Sequence, residues 1–365
     1  MTERLYYQDS YLTAFEATAL NAGDRIYLDR TALYPTSGGQ PHDLGTLNGV
    51  PIVEVVDEED RVAHLLAEPI ASGPVTGELD WARRFDHMQQ HTGQHLLSAV
   101  LAERFGLATV SFHLGTEACT IDLATPSISA ELLEQAERIA NAQIVANLPL
   151  RVSYEDAALA EGLRKASERS GVLRVVEIMG LDRSACGGTH VRATAEIGSL
   201  LIGGTEKVRQ TTRLTFVCGH RAIRWTRQLR RDLTASERRA AELTASLKKL
   251  ATENATLTGT RLYFETPLSS DGIRRHLRRG IDEHTRTEAM SFAGGPRSLY
   301  LAISGDALIF AASADSGVDA AAAIKPLVTR GGGGRTLAQG TLAEPETAST
   351  VLLGLSHPSH PIGPA

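Results

Sequence analysis

His91 and His95 in HTGQH, with Cys186 and His190 in CGGTH, constrain this 365-residue chain more than any other feature. Residues four apart share one face of a helix, so HTGQH presents both imidazoles from one side. Gly187 and Gly188 put the second pair on a loop. Three imidazoles and one thiolate complete a tetrahedral set for Zn²⁺. Either pair alone is common. Together they predict one shared metal that clamps two distant parts of one domain. Thr92 stands where an H-E-x-x-H protease needs its glutamate, which excludes that chemistry.

Composition narrows the setting. The opening MTERLYYQDS is polar, and no run of about 18 apolar residues exists. Neither a signal peptide nor a spanning helix is expected. Three scattered cysteines argue against a disulfide scaffold and for a reducing cytoplasm. Cys119 and Cys218 read as ordinary strand residues. The net charge of −6 does not advertise nucleic-acid binding, yet residues 220–250 carry nine Arg or Lys against three acids. Such a stretch suits a phosphate backbone or a solvated helix face.

Periodicity and turn residues predict an α+β chain. Residues 1–80 read as a small β-barrel, with segments Arg25–Leu28, Gly45–Leu47 and Ile52–Val56 and a Gly-rich loop, LYPTSGGQPHDLG, at 33–45. Residues 81–222 read as helices followed by strands. One helix covers 86–105, capped by Asp86 with Gln89 three later and ended by Gly106. Further helices are expected over Ala130–Asn147 and Glu155–Arg169, then strands at Leu173–Ile178, Ser199–Ile202 and Arg213–Val217. Gly93 costs the first helix about 1 kcal/mol, which fits either a close approach to its backbone or a packing reason.

Residues 223–258 form a basic helical linker. Its 4-3 stripe (Leu229, Leu233, Ser236, Ala240, Leu243, Leu247, Leu250, Asn254, Leu257) suits a short coiled coil or a helix packed on its own domain. An α/β domain follows over 259–356. Its expected elements are a strand at Arg261–Glu265, a helix at Asp271–Glu283 and a hairpin of Ser298–Ile303 and Ala307–Ala312. Helices near Val318–Thr329 and Thr347–Leu355 flank the run Gly331–Gly334 and the AQG at 338–340. Residues 357–365 read as a tail whose His357 and His360 are not ligands.

These motifs resemble the editing domain of alanyl-tRNA synthetase and its freestanding relatives, the AlaX proteins. The resemblance rests on HMQQHTGQHLLSAV at 87–100, CGGTHVRATAEIGSLLI at 186–202, the GGQ loop, and VRQTTRLTFVCGHRA at 208–222, where TTR replaces the more usual paired arginines. The region after the linker resembles, less sharply, the C-terminal domain of alanyl-tRNA synthetase. There the glycine run is shorter than usual, and Thr341 and Leu342 follow AQG.

The resemblance implies a zinc-dependent editing domain at 81–222. It implies a trans-editing enzyme that hydrolyses the ester of tRNA(Ala) charged with serine or glycine. No class II catalytic domain precedes the barrel, so alanine activation is not expected, although likeness to a synthetase brings nucleotide and ATP binding into view. Thr36 and Gln40 in the GGQ loop are candidates to touch the substrate, Thr36 as reader of the serine hydroxyl. Gln94, three residues after His91, points into the pocket or is a surface amide. Thr189, with the N–H groups of Gly187 and Gly188, suits an oxyanion or phosphate. His87 reads as a helix-end hydrogen bonder. Lys207, Arg209 and Arg213 are placed to hold the acceptor stem. A homodimer through the linker or C-terminal domain is compatible with the stripe. Four protein ligands close the zinc, which favours positioning or structure. Two rivals are a zinc-stabilised tRNA-binding protein without catalysis and an unrelated zinc hydrolase of small molecules.

Overall fold

The computed structural model describes residues 1–166 and 170–355, so the expected tail at 357–365 lies outside the described residues. The chain is mixed α+β and divides into two compact units, Met1–Arg231 and Asp232–Ala365.

The first unit begins with β1 (Glu3–Arg4), β2 (Ala14–Ala22), β3 (Arg25–Leu28), β4 (Arg30–Thr31), β5 (Gly45–Leu47), β6 (Val50–Glu58), β7 (Arg61–Leu66) and β8 (Gly73–Leu79). Six of them close a barrel in the order β2-β3-β7-β6-β5-β8. Alternate apolar residues such as Phe15, Ile26, Leu28, Val55 and Val62 fill it. The GGQ loop leaves the barrel between β4 and β5. Ser37 and Gln40 exchange backbone hydrogen bonds of 3.1 and 3.0 Å across Gly38 and Gly39. Those glycines have φ of 54° and 80°, the left-handed pair that a two-residue turn requires.

Next comes α1 (Trp81–Phe105), which starts five residues before the expected cap. Asp80 caps it by accepting from the Arg83 N–H at 3.1 Å, and Gly106 ends it with φ 66°. Asp86 is instead inside the helix and binds the buried Arg221 at 2.6–3.0 Å. Gln89 donates to the Glu196 carbonyl at 2.9 Å rather than completing a capping box. Leu96, Leu97, Val100 and Leu101 are buried as expected. A fully buried Arg84 on α1 binds Asp43 through Nε at 3.1 Å, which pins the GGQ loop to the helix.

The unit continues with β9 (Thr109–Leu114), β10 (Cys119–Leu123), α2 (Ala130–Val145), β11 (Leu150–Asp156), β12 (Val172–Ile178), β13 (Asp182–Ala185), β14 (Leu200–Val208) and β15 (Thr211–Cys218). They form a four-stranded sheet, β14-β15-β10-β9, and a three-stranded one, β11-β12-β13. The helix expected over Glu155–Arg169 is corrected. Residues 150–156 alternate along β11 and pair with β12, residues 157–166 hold no helix, and 167–169 lie outside the described residues.

A single 47-residue helix, α3 (Gly219–Glu265), replaces the expected linker helix and absorbs the strand expected at Arg261–Glu265. The second unit adds β16 (Arg274–Arg279), α4 (Thr285–Ala293), β17 (Ser298–Ser304), β18 (Ala307–Ala312), α5 (Ala320–Ile324), β19 (Val328–Gly333), β20 (Leu337–Leu342) and α6 (Pro345–Leu353). The strands form one sheet, β16-β17-β18-β20-β19. The helix expected over Asp271–Glu283 is instead the edge strand β16, parallel to β17. The helix expected near Val318–Thr329 stops at Ile324, and β19 takes up the glycine run. A Cβ on Gly331 or Gly333 would lie 2.3–2.6 Å from β20 backbone atoms, which explains glycine there.

Candidate metal centre

Helix α1 brings His91 and His95 to one side, with ring centroids 5.2 Å apart. Strand β13 delivers Cys186 just past its end, and the loop returns His190 to within 4.4 and 4.8 Å of the two rings. The donor atoms of His91, His95, Cys186 and His190 all lie within 4.8 Å of one another. Cys186 Sγ is 3.4 Å from His91 Nε2 and 3.3 Å from His190 Nε2. Tetrahedral zinc, with bonds of about 2.0–2.3 Å, separates neighbouring donors by about 3.5 Å. Both the spacing and the donor chemistry therefore fit an ion such as zinc. A Cβ on Gly188 would lie 2.2 Å from His91 Cε1, so only glycine lets the loop come this close.

The three imidazoles are oriented from behind. His91 Nδ1 donates to Gln40 Oε1 at 2.9 Å, and His95 Nδ1 donates to Asp182 Oδ2 at 2.9 Å. His190 Nδ1 is hydrogen-bonded to Thr92 Oγ1 at 3.1 Å. This arrangement leaves each Nε2 free for a metal. Asp182 is held in turn by Arg164 Nε at 2.6 Å and Ser184 Oγ at 3.0 Å. Burial pushes the Cys186 thiol up, but His91 and His190 beside it outweigh this and hold it well below its ordinary value. The thiolate is the form that binds metal. Burial opposes the charged form of His95, yet its bond to Asp182 and the nearby Cys186 raise it to about 9.

A cavity of about 1020 Å³ opens on His91, His95 and Cys186. Gln94 lines it. Its Nε2 donates to Ser98 Oγ at 2.9 Å, while Oε1 is buried without a partner. Arg174 lines it too, donating to the Cys186 and Gly188 carbonyls at 2.8 and 3.0 Å with its guanidinium 5.3 Å from the Tyr7 ring centroid. The wall carries Arg4 paired with Asp57, Arg164 paired with Asp182, Glu59 and the exposed Lys165, and Tyr34 and Phe112 add aromatic surface.

The other expected site residues are spread out. Gln40 and Thr189 are buried behind the donors, not at the cavity wall. Gln40 Nε2 donates to Thr189 Oγ1 at 2.9 Å, and Gln40 Oε1 accepts from the Thr189 N–H at 3.1 Å. Thr36 is exposed and outside the cavity lining, its Oγ1 bonded to His42 Nδ1 at 3.0 Å. Lys207 and Arg209 are exposed around the β14–β15 turn, and Arg213 binds Asp122 at 2.8 and 3.0 Å. His87 is no helix-end hydrogen bonder. It is buried in the second turn with Nδ1 unpartnered, and burial followed by Arg83 lowers it to about 3. Sequence reasoning missed Asp182, Thr92 and Arg174. One signal for Asp182 existed: it alternates with Ser184 along a strand leading straight into CGGTH.

Residues 173–215 match the family model described as the threonyl and alanyl tRNA synthetase second additional domain. That match spans β12, β13, the CGGTH loop and most of the β14–β15 hairpin, so this part of the first unit is similar to a domain of that class. The chain's relatives are more specific. The chain is 38% identical over 211 residues to alanyl-tRNA editing protein Aarsd1 of Rattus norvegicus, covering 56% of this chain and 51% of that protein. It is 32% identical over 258 residues to alanyl-tRNA editing protein AlaX-L of Pyrococcus horikoshii, covering 65% and 63%. It is 35% identical over 243 residues to the alanine–tRNA ligase of Pyrococcus abyssi, covering 61% and 26%. The chain is therefore a homologue of alanyl-tRNA editing proteins over somewhat more than half its length. It spans about half the length of the curated relatives it matches first. These matches give the expected ATP binding no support. Among the described residues, no helix is long and apolar enough to cross a membrane.

Proposed function

We propose that the chain is a trans-editing hydrolase of the cytoplasm that deacylates tRNA(Ala) mischarged with serine, or with glycine, and so protects translation fidelity. One observation carries this reading: a preorganised His-His-Cys-His donor set opens onto a cavity with charged and aromatic walls and an unpartnered acceptor on Gln94. The similarity to proteins named as alanyl-tRNA editing proteins supports it.

The reaction breaks the acyl C–O bond to the terminal ribose. Water supplies the hydroxyl of the released amino acid, and the ribose oxygen gains a proton. His91, His95, Cys186 and His190 would hold Zn²⁺, and with all four positions taken by the protein the ion would tie the CGGTH loop to α1 and so position the pocket. Gln94 Oε1 accepts a hydrogen bond from the ammonium or hydroxyl of the aminoacyl group. Arg174 fixes the loop carbonyls, and with Lys165 it offsets the charge of the incoming phosphates. Lys207 and Arg209 hold the acceptor stem from the β14–β15 turn, with Arg213 behind them.

The decisive experiment compares deacylation of Ser-, Gly- and Ala-tRNA(Ala) by zinc-loaded protein. Rapid loss of serine with alanine spared is expected. Binding of tRNA(Ala) without release of any amino acid would instead favour a zinc-stabilised tRNA-binding protein.

A further inference from the structure

Three side chains share one rung of the three-stranded sheet. Tyr154 on β11 is directly opposite Arg174 on β12. Cys186 continues the register of Val175 with Ala185, and its N–H donates to the Arg174 carbonyl at 3.0 Å. Residues directly opposite in an antiparallel ladder point to one face, so a metal donor, a guanidinium and a phenol ring stand in line. Two strand spacings put Tyr154 about 10 Å from Cys186 along this line. All three line the same cavity. The deacylation scheme uses Cys186 and Arg174 but leaves Tyr154 idle. The Tyr154 residue is 56% exposed, and its Oη reaches the Tyr7 carbonyl at 3.5 Å. Val172 lies diagonal to it on the same face, is 73% exposed and also lines the cavity. A ring and a valine left bare on a concave wall suit a flat apolar partner.

We propose that Tyr154, with Val172 beside it, is the platform on which the base of the terminal adenosine stacks. The rung then holds the aminoacyl-adenosine end to end: the ester near the donors, the sugar and its phosphate at Arg174, the base on Tyr154. This inference rests on the deacylase reading and names a subsite within it. The cavity of about 1020 Å³ is far larger than a seryl or glycyl group needs, and a site of that size holds a whole nucleoside besides. Arg174 Nε is buried without a partner, so the guanidinium keeps a donor unspent after serving the two loop carbonyls. The 3′ end of a tRNA is unpaired, and proteins hold unpaired bases by stacking them on aromatic faces beside cations. Such a stack forms alike in the bound substrate and in the transition state. Tyr154 therefore sets how tightly the end is held, not how fast the ester breaks.

The test is a binding cycle on the full, zinc-loaded chain. One probe is an acceptor-stem RNA hairpin ending in CCA, with serine joined to the terminal ribose by an amide that is not hydrolysed. The second probe lacks only the terminal base. Wild type should bind the second about 10–100-fold more weakly, the scale of one base–aromatic stack. Tyr154→Ala should lose the same factor on the complete probe and nothing further on the one without the base. Tyr154→Phe keeps the ring and should bind both probes like wild type. Zinc content reports that each variant is folded. With the hydrolysable ester on tRNA(Ala), Tyr154→Ala should raise KM by a similar factor and leave kcat unchanged. Equal affinity of wild type for the two probes overturns the platform. So does Tyr154→Ala that binds the complete probe like wild type, or whose loss simply adds to that of removing the base. A wild-type chain that releases no serine from the ester would instead sink the deacylase reading, and the binding cycle separates the two failures.

Discussion

Cys218 Sγ lies 2.2 Å from the point where a Cβ on Gly93 would stand. Strand β15 thus reaches the backbone of α1 midway between His91 and His95. Gly93→Ala forces the helix off the sheet. Overpacking of this kind costs about 1–3 kcal/mol, against a gain of about 1 kcal/mol in helix propensity. We expect a lower melting temperature together with reduced zinc per chain. A variant that melts like wild type and carries full zinc would show that the contact is not tight.

The metal centre depends on its outer partners as well as its donors. Cys186→Ala should lose most of the zinc measured by elemental analysis. Asp182→Asn keeps the shape but weakens the grip on His95, and zinc affinity should drop about 10–100-fold in chelator competition. Equal affinity in the Asp182→Asn protein would mean that the carboxylate serves Arg164 alone.

Substrate reading separates two residues. Gln94 offers a buried, unpartnered acceptor at the cavity, whereas the Thr36 hydroxyl is engaged by His42 outside the lining. Gln94→Leu should lower kcat/KM for Ser-tRNA(Ala) about 10–100-fold, the value of one hydrogen bond to a charged or well-placed group. Thr36→Val should change it little. The opposite ranking would return the hydroxyl-reading role to Thr36.

His64 makes the barrel acid-sensitive. It is buried, with Nδ1 donating to the Ile26 carbonyl at 3.2 Å and Nε2 bonded to Thr31 Oγ1 at 3.0 Å. Burial lowers it to about 4 from an ordinary value of 6.5. The unfolded chain therefore takes up a proton before the folded one. The stabilisation is complete above pH 6.5 and is lost as pH falls towards 4, a total of about 3 kcal/mol at 1.36 kcal/mol per unit. Urea midpoints should fall less between pH 7 and 4.5 in His64→Gln than in wild type. Zinc loss affects both proteins alike, so an identical fall in both would sink the assignment.

What could be read from residues alone follows from how local the signal is. The end of α1 is written in Gly106, and the hairpin Ser298–Ala312 in two apolar runs around Gly305. The nearness of four donors follows from paired spacing. Strand β16, with the sequence RRHLRR, has no apolar period of its own, and its pairing with β17 decides its state. Residues 155–156 look helical because acids and alanines follow, yet β12 captures them. Gln40, Asp182 and Thr92 were not legible as supports of particular histidines, because each contact crosses between elements far apart in sequence.

The bond from Gln40 to His91 joins the barrel to the centre by one side chain. If the GGQ loop is unseated from α1, His91 loses the acceptor that fixes its proton on Nδ1, and its ring is free to turn and present the wrong nitrogen. The seating of one loop is thereby written into the tautomer of a single imidazole. Metal retention becomes a gauge of whether that loop is in place, readable without any substrate at all.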